Sequence, residues 1–303
     1  MPRSSIVFRA RFMSLGTATS PPSTRADSPA RSVAQTRPLS TTAHAGLVNP
    51  ASYFLLSWLV PALLVIVWET ATRAGLIRSQ VLPPPSSVLI TAWDLLRSGE
   101  LFRHLGASLL RAIAGFLIGG TAGFGFGVLT GFSRIAHALL DRPIQMIRAI
   151  PFLALLPLVI VWFGVDEIGK VFLVSLAVFF PLYVNTVLGI RQIDPKLLEV
   201  SKVTGLSRLD TVRRIILPGA MPSVLTGVRY SLATAWLALV IAETLATTSG
   251  IGFLAMDARE FLQTNVIVLT IIIYALIGVV ADGLARMLER RLLSWHPNFA
   301  DKG

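Results

Sequence analysis

Residues 194–222 read DPKLLEVSKVTGLSRLDTVRRIILPGAMP, a polar and strongly patterned segment between two long apolar ones. It begins with Asp194, a residue type favoured at helix N-caps, and Pro195, a type favoured at the first helical position. Gly205 is the residue type expected just after a helix end, where the backbone turns left-handed. These signals predict a short helix that begins after Asp194 and stops at Gly205.

The second part of the segment carries the signals of another helix start. Ser207 can cap a helix, and Asp210, three residues later, can act as its capping-box partner. We expect this second helix to end at Pro218, because proline lacks the N–H that a helix interior needs. The two helices should present an apolar knob that the loop itself can hardly bury and that suits the groove of a partner protein. The knob consists of Leu197, Leu198, Val203 and Leu206.

The rest of the chain has the composition of a membrane protein. Its 303 residues are 53% hydrophobic and only 14% charged, whereas soluble domains average about 25% charged residues. The mean hydropathy is +0.69, and a soluble fold of this length could not hide so much apolar surface. The net charge of +11 does not indicate nucleic-acid binding, because the basic residues are dispersed between apolar runs.

Several kinds of chemistry lack their residues in this sequence. There is no cysteine, and the four histidines are far apart with no HExxH pattern, so we expect no metal site, cofactor or catalytic residue. No GxxxxGK[ST] phosphate loop occurs either. The chain therefore cannot hold ATP in the usual way, and the energy for any transport must come from a partner or an ion gradient.

Six apolar runs are long enough to cross a bilayer, which takes roughly 17–25 residues. The third contains Pro151 and Pro157, and the fifth contains Arg229. We predict an all-α integral membrane domain over residues 50–297 with six transmembrane helices. The runs lie at about 52–70, 111–134, 148–166, 170–191, 219–245 and 260–282.

The distribution of Lys and Arg predicts the orientation. With the N-terminus inside, the inner segments contain 19 basic residues and the outer segments contain seven, which favours cytoplasmic N- and C-termini by the positive-inside rule.

Residues 1–49 are rich in Ser, Thr, Pro, Ala and Arg, which predicts a disordered cytoplasmic tail. A start codon assigned too early, with Met13 as a later start, is the alternative. Residues 298–303 are predicted to form a cytoplasmic C-terminal tail.

Two further patterns lie between the first and third runs. In the outer segment 71–111, three prolines should lead into a helix capped by Ser86 or Ser87, lying either in the membrane interface or packed on the protein surface. In the second run, five glycines recur every four residues and mark a face for close helix packing, within one subunit or between two. The five are Gly115, Gly119, Gly123, Gly127 and Gly131.

The loop resembles the EAA motif of binding-protein-dependent ABC importer permeases, which is Glu-Ala-Ala, three residues, Gly, nine residues, Ile, any residue, Leu-Pro. Glu199 and Gly205 stand at the motif's spacing, and Ile215, Leu217 and Pro218 complete it. The two alanine positions hold Val200 and Ser201, a departure that keeps small side chains there.

The resemblance extends over about residues 50–297 and is closest to permeases of aliphatic sulfonate importers, within a group that includes taurine and nitrate importers. The stretches that carry it are SGELFRHLGASLLRAIAGFLIGG (98–120), PLVIVWFGVDEIGKVFLV (157–174), SGIGFLAMDAREFLQTNVIVLTIIIYALIGVVAD (249–282) and LERRLLSW (288–295).

The resemblance implies a type I, MetI-like importer permease fold in a bacterial inner membrane. Two permease copies, most simply a homodimer, would form the pathway, two separate ATPases would dock below, and a periplasmic binding protein would deliver substrate above. The loop would be the coupling helix, with ATPase contacts from Glu199, Val200, Ser201, Lys202, Thr204, Gly205, Leu206 and Pro218.

Polar residues within the apolar runs are functional hypotheses by default. Arg229 either attracts an anionic sulfonate or snorkels to the inner headgroups, and Glu243 is a structural partner or a gate residue. Gln145 and Asn185 could line the path. The alternatives to an ABC permease are a secondary transporter, for which no internal repeat is visible, and a membrane anchor without a path. The substrate itself, whether sulfonate, taurine, nitrate or another small molecule, is not fixed by these residues.

Overall fold

The computed structural model describes residues 50–244 and 247–295, and the contacts reported below lie within the compact unit that begins at Leu55. The predicted tails 1–49 and 298–303 lie outside the described residues. Within the described ranges the chain forms eleven α-helices, a 3₁₀ turn at Phe152–Leu155 and a π-helical turn at Val212–Ile216. The helices are α1 Pro50–Arg73, α2 Pro85–Arg97, α3 Glu100–Phe132, α4 Arg134–Arg148, α5 Leu156–Phe163, α6 Glu167–Arg191, α7 Pro195–Val203, α8 Arg208–Thr211, α9 Leu217–Glu243, α10 Ile251–Glu260 and α11 Thr264–Leu292.

Five of the predicted spans are continuous helical segments long and apolar enough to cross a membrane. They are α1, α3, α6, α11 and the run Arg208–Glu243, which joins α8, the π-helical turn and α9. The predicted end of a helix at Pro218 is therefore wrong. The π-helical turn just before this proline changes the hydrogen-bonding register, so that its missing N–H is tolerated near the start of α9.

The third predicted span is a broken element. α4 and the segment Phe152–Phe163 meet at 92° across residues 149–151, and together they make one bent span or a re-entrant loop. Pro151 stands at the break with an extended backbone, φ −56° and ψ 127°, and it cannot donate the hydrogen bond that would continue α4. Five of the six predicted spans are thus continuous helices, and the bent pair makes the sixth if it crosses the membrane as one span.

The glycine ladder of α3 packs against α6, as expected for packing within one subunit. A methyl group added at Gly123 would lie 2.5 Å from the Phe179 carbonyl oxygen, and one at Gly127 would lie 2.6 Å from Thr186 Cβ. Since α6 occupies this face, a second copy of the chain cannot dimerise through it. α9 also packs on α6 and contacts α3, so the three helices form the core of the bundle.

Helix α2 forms where a helix was predicted, but neither Ser86 nor Ser87 caps it. Pro84 is the N-cap residue and makes no side-chain cap. The Glu69 carboxylate of α1 instead accepts hydrogen bonds from the Ser86 backbone N–H at 3.0 Å and the Ser86 hydroxyl at 2.8 Å. This long-range cap ties α2 to the end of α1.

Candidate functional site

The segment between α6 and α9 follows the local signals of its sequence: it forms the short helix α7, turns at Gly205, and starts a second helix after Ser207 that continues through α8 into α9. The Asp194 carboxylate accepts a hydrogen bond from the Lys196 N–H at 2.9 Å, and Gly205 has the left-handed φ of +69°. The Ser207 hydroxyl accepts from the Asp210 N–H at 3.1 Å and donates to its carboxylate at 2.6 Å. The predicted cap, turn and capping pair are all confirmed.

Helix α7 presents an exposed apolar stripe formed by Leu197, Val200 and Val203, which recur every three residues. Val203 is 88% exposed, and the other two are at least half exposed. The predicted knob is therefore only partly right, because Leu198 and Leu206 are half-buried within the loop. Val200, which was assigned to the motif and not to the knob, takes their place on the surface.

The other predicted contact residues of the loop surround this stripe. Glu199, Lys202, Thr204 and Gly205 are exposed, whereas Ser201 is buried with its hydroxyl donating to the Leu198 carbonyl. Pro218 is half-buried in the first turn of α9, at the base of the loop.

At the opposite end of the same helices lies a buried polar cluster around Glu243, the last residue of α9. Glu243 is 1% exposed. Its carboxylate accepts hydrogen bonds from Arg111 at 2.7 Å, from the Ser108 hydroxyl at 2.7 Å and from the Gly252 N–H at 2.9 Å. The carboxylate is thus both charge-paired and hydrogen-bonded, which is the condition under which a buried charge is tolerated.

Arg111 connects this carboxylate to α6. Its guanidinium also donates to Glu167 at 2.7 Å, and Lys170 donates to the same carboxylate at 3.0 Å. Arg111 and Lys170 are themselves buried, whereas the Glu167 side chain is 61% exposed. Arg111 and Lys170, two of the seven basic residues predicted for the outer segments, lie within α3 and α6.

The same cluster fixes Ser249 and Gly250, the two residues before α10. Arg111 donates to the Ser249 carbonyl at 2.7 Å, and the Gly250 N–H donates to His104 Nδ1 at 3.1 Å. Gly250 has a φ of +119°, and a methyl group there would lie 2.7 Å from Arg111 Nη1. The cluster therefore holds Ser249 and Gly250 against α3 and the end of α9.

A cavity of about 490 Å³ lies where the break after α4 faces the middle of α6 and α9. Its polar lining consists of Arg148, Asn185, Tyr230 and Thr234, and no acidic residue lines it. The Asn185 amide donates to the Pro181 carbonyl at 2.8 Å. Of the four residues predicted for a pathway, only Asn185 lines this cavity; Gln145 is exposed on α4.

Arg229 has a carboxylate partner far away in the sequence. Its guanidinium lies 2.8 Å from the Asp282 carboxylate of α11, and Arg286 contacts the other oxygen of that carboxylate at 2.6 Å. The pair joins α9 to α11 beside a second cavity, lined in part by Arg229 and Asp282.

Apolar spanning helices, a broken span beside a cavity and a helical loop with an exposed apolar stripe define an integral membrane transport subunit. The family model for the inner membrane component of binding-protein-dependent transport systems matches residues 115–294. The chain belongs to this family of ABC importer permeases, and it is a multi-pass protein of the inner membrane.

Relatives in this family are similar over most of the chain. The aliphatic sulfonates transport permease protein SsuC of Escherichia coli strain K12 is 48% identical over 256 residues, covering 84% of this chain and 97% of its own length. SsuC of Bacillus subtilis strain 168 is 44% identical, covering 80% and 87%. The taurine transport system permease protein TauC of Escherichia coli strain K12 is 36% identical, covering 78% and 87%.

Solved structures support the fold. An inward-facing structure of the MetNI methionine ABC transporter aligns with a TM-score of 0.51 at 21% identity, covering 65% of this chain and 97% of the matched one. An amino acid ABC transporter chain gives 0.52 at 19% identity, covering 67% and 96%. The predicted type I importer permease fold is confirmed.

Proposed function

We propose that this chain is the permease subunit of an ATP-driven importer that carries a small aliphatic sulfonate across the inner membrane. The α7 stripe carries the coupling part of this proposal. Apolar side chains exposed at the end of a loop, with exposed Glu199 and Lys202 beside them, are the pattern of a helix that fits a partner's groove. The partner is a separate ATPase subunit, which hydrolyses the ATP.

The proposed arrangement places the two ends of the bundle on opposite sides of the membrane. The α7–α8 loop and both termini are cytoplasmic, which agrees with the excess of Lys and Arg in the inner segments. A periplasmic binding protein releases its substrate at the end that carries the Glu243 cluster. A second copy of the chain completes the pathway as a homodimer within the lipid bilayer.

The sulfonate assignment rests on the names of the two SsuC relatives, at 48% and 44% identity. Taurine or nitrate is the alternative substrate, because TauC at 36% and the nitrate import permease protein NrtB of Leptolyngbya laminosa at 32% are further relatives. The cavity next to Asn185 supports a role for this residue in the path. The pairing of Arg229 with Asp282, and of Glu243 with Arg111, supports structural roles for both.

Replacement of the α7 stripe tests the coupling role. In cells that produce the permease with its cognate ATPase, Leu197→Asp or Val203→Asp should abolish co-purification of the ATPase from membranes. Each change places a charge on the apolar contact surface, where an unpaired charge is costly to bury. Uptake of a labelled alkanesulfonate should be lost in parallel.

The matched control is Val81→Asp, which adds the same charge at an exposed valine outside the loop. This variant should retain the ATPase. Retention of the ATPase by both stripe variants would overturn the coupling assignment.

A further inference from the structure

We propose that Arg148 is the anion-binding residue of the 490 Å³ cavity, which holds an alkanesulfonate with its head group on Arg148 and its alkyl chain on the apolar wall. This inference rests on the proposed function and adds to it the position of the substrate within the permease. In this proposal Arg148, and not Arg229, is the basic residue that binds the anionic head group of the substrate.

The cavity that Arg148 lines is level with the middle of the helices, and the Arg148 side chain itself is exposed. The lining residues of α6 lie between 177 and 185, in the middle of a helix that runs from 167 to 191. Those of α9 lie between 230 and 241. A basic residue at such a depth is costly to keep within a membrane and is a functional hypothesis by default.

The charges around the two arginines differ. Within the described residues the Arg148 side chain makes no ion pair or hydrogen bond, and the lining of its cavity contains no carboxylate. Arg229, by contrast, is paired with Asp282. An anion that enters the first cavity therefore meets an uncompensated positive charge, whereas one that approaches Arg229 meets a cation already satisfied by a carboxylate.

The backbone next to Arg148 supports a binding role. α4 ends at Arg148, and the chain turns by 92° over the next three residues. Non-helical backbone at membrane depth is tolerated where it is buried in protein or lines a cavity, and broken helices form the substrate sites of many transporters. Arg148 lies in the last turn of α4, where a positive charge also stabilises the helix dipole. A variant that keeps the charge is therefore needed to distinguish this role from anion binding.

The remainder of the cavity matches an alkyl chain. Phe152, Phe180 and Leu237 contribute apolar surface, while Asn185 and Tyr230 place polar groups among the lining residues. A volume of about 490 Å³ falls within the range of roughly 300–1,000 Å³ that small-molecule sites occupy. One cation and an apolar wall together match an organic anion with an aliphatic tail better than an inorganic anion.

The test measures binding of labelled butanesulfonate to the permease–ATPase complex in lipid nanodiscs without the binding protein, with empty nanodiscs subtracted. Arg148→Gln should raise the Kd by roughly tenfold or more, the loss expected for a charge-assisted hydrogen bond. Arg148→Lys, which keeps the charge at the helix end, should recover part of the affinity. Arg229→Gln, the matched control, should bind as the wild type does.

A second variant tests the apolar wall and does not depend on the folding of the Arg148 variants. Leu237→Ala should weaken binding of hexanesulfonate more than binding of ethanesulfonate, because only the longer chain reaches the wall; a purely structural role would lower both equally. An Arg148→Gln complex with unchanged Kd, or equal losses for both chain lengths in Leu237→Ala, overturns the inference.

Uptake assays with the complete system separate this inference from the proposed function. Wild-type uptake of alkanesulfonate without measurable binding in the cavity overturns the cavity assignment alone. Absence of alkanesulfonate uptake overturns the sulfonate function itself.

Discussion

The two ends of the helix bundle carry opposite kinds of unfavourable residue. One end exposes apolar side chains to solvent, and the other buries charged side chains. The α7–α8 end exposes the apolar stripe Leu197, Val200 and Val203, while the opposite end buries Glu243 and Arg111. The first arrangement is tolerated when a partner covers the surface, and the second when every charge has a partner within the protein. The exposed stripe therefore suits the proposed docking of another protein, whereas the charges of the Glu243 cluster are satisfied by partners within the chain.

Removal of one charge from the buried cluster should produce the largest effect. Arg111→Leu leaves Glu243 buried without its cation, and we expect a loss of about 3–5 kcal/mol in the free energy of unfolding. Thermal and denaturant unfolding of the purified permease in detergent would measure this loss.

The control for this variant is Glu167→Gln, which removes the other carboxylate partner of Arg111. Because the Glu167 side chain is largely exposed and the amide oxygen of glutamine can still accept a hydrogen bond from buried Lys170, the loss should be well below that of Arg111→Leu. Equal effects of the two substitutions would contradict the assignment of Glu243 as the buried centre of the cluster.

The packing of α3 on α6, which connects the two ends, should give an intermediate effect. Gly123→Ala forces a methyl group to 2.5 Å from the Phe179 carbonyl oxygen, and overpacking of this kind costs about 1–3 kcal/mol. Gly125→Ala is the matched control in the same helix, because nothing lies within 4 Å of the added methyl.

The control should be neutral or slightly stabilising, since alanine favours helix more than glycine does. Unfolding midpoints of the two variants provide the comparison. A stable Gly123→Ala variant would show that α3 and α6 can separate at little cost.

The difference between the two ends also explains what the sequence could predict. The loop forms on local signals: Asp194 caps α7, Gly205 ends it and Ser207 caps α8, all through contacts within a few residues. Periodicity likewise predicted the glycine face of α3. Such features depend on short-range geometry, so residue type and spacing were sufficient to find them.

The buried cluster and the Arg229–Asp282 pair depend on contacts that spacing does not show. Ser108 and Glu243 are separated by 135 positions, and Arg229 and Asp282 by 53. Arg111 was therefore predicted only as a basic residue of an outer segment. Arg148 was predicted only as the boundary of the third apolar run. The Ser-Gly-Ile-Gly stretch at 249–252 was the one available signal, since two glycines at a helix start suggest close approach of backbone to a neighbour.

The smallest effect on stability should come from the α7 stripe, although its effect on assembly is large. Val203→Asp changes a side chain that is 88% exposed, so the unfolding free energy of the isolated permease should stay within about 0.5 kcal/mol. Val174→Asp makes the same substitution at a fully buried valine of α6 and should prevent stable folding, because the charge finds no partner. The unfolding midpoint and the yield of monodisperse protein would be compared for the two variants. Strong destabilisation by Val203→Asp would mean that the stripe packs within the permease, and loss of the ATPase could then no longer be attributed to a docking surface.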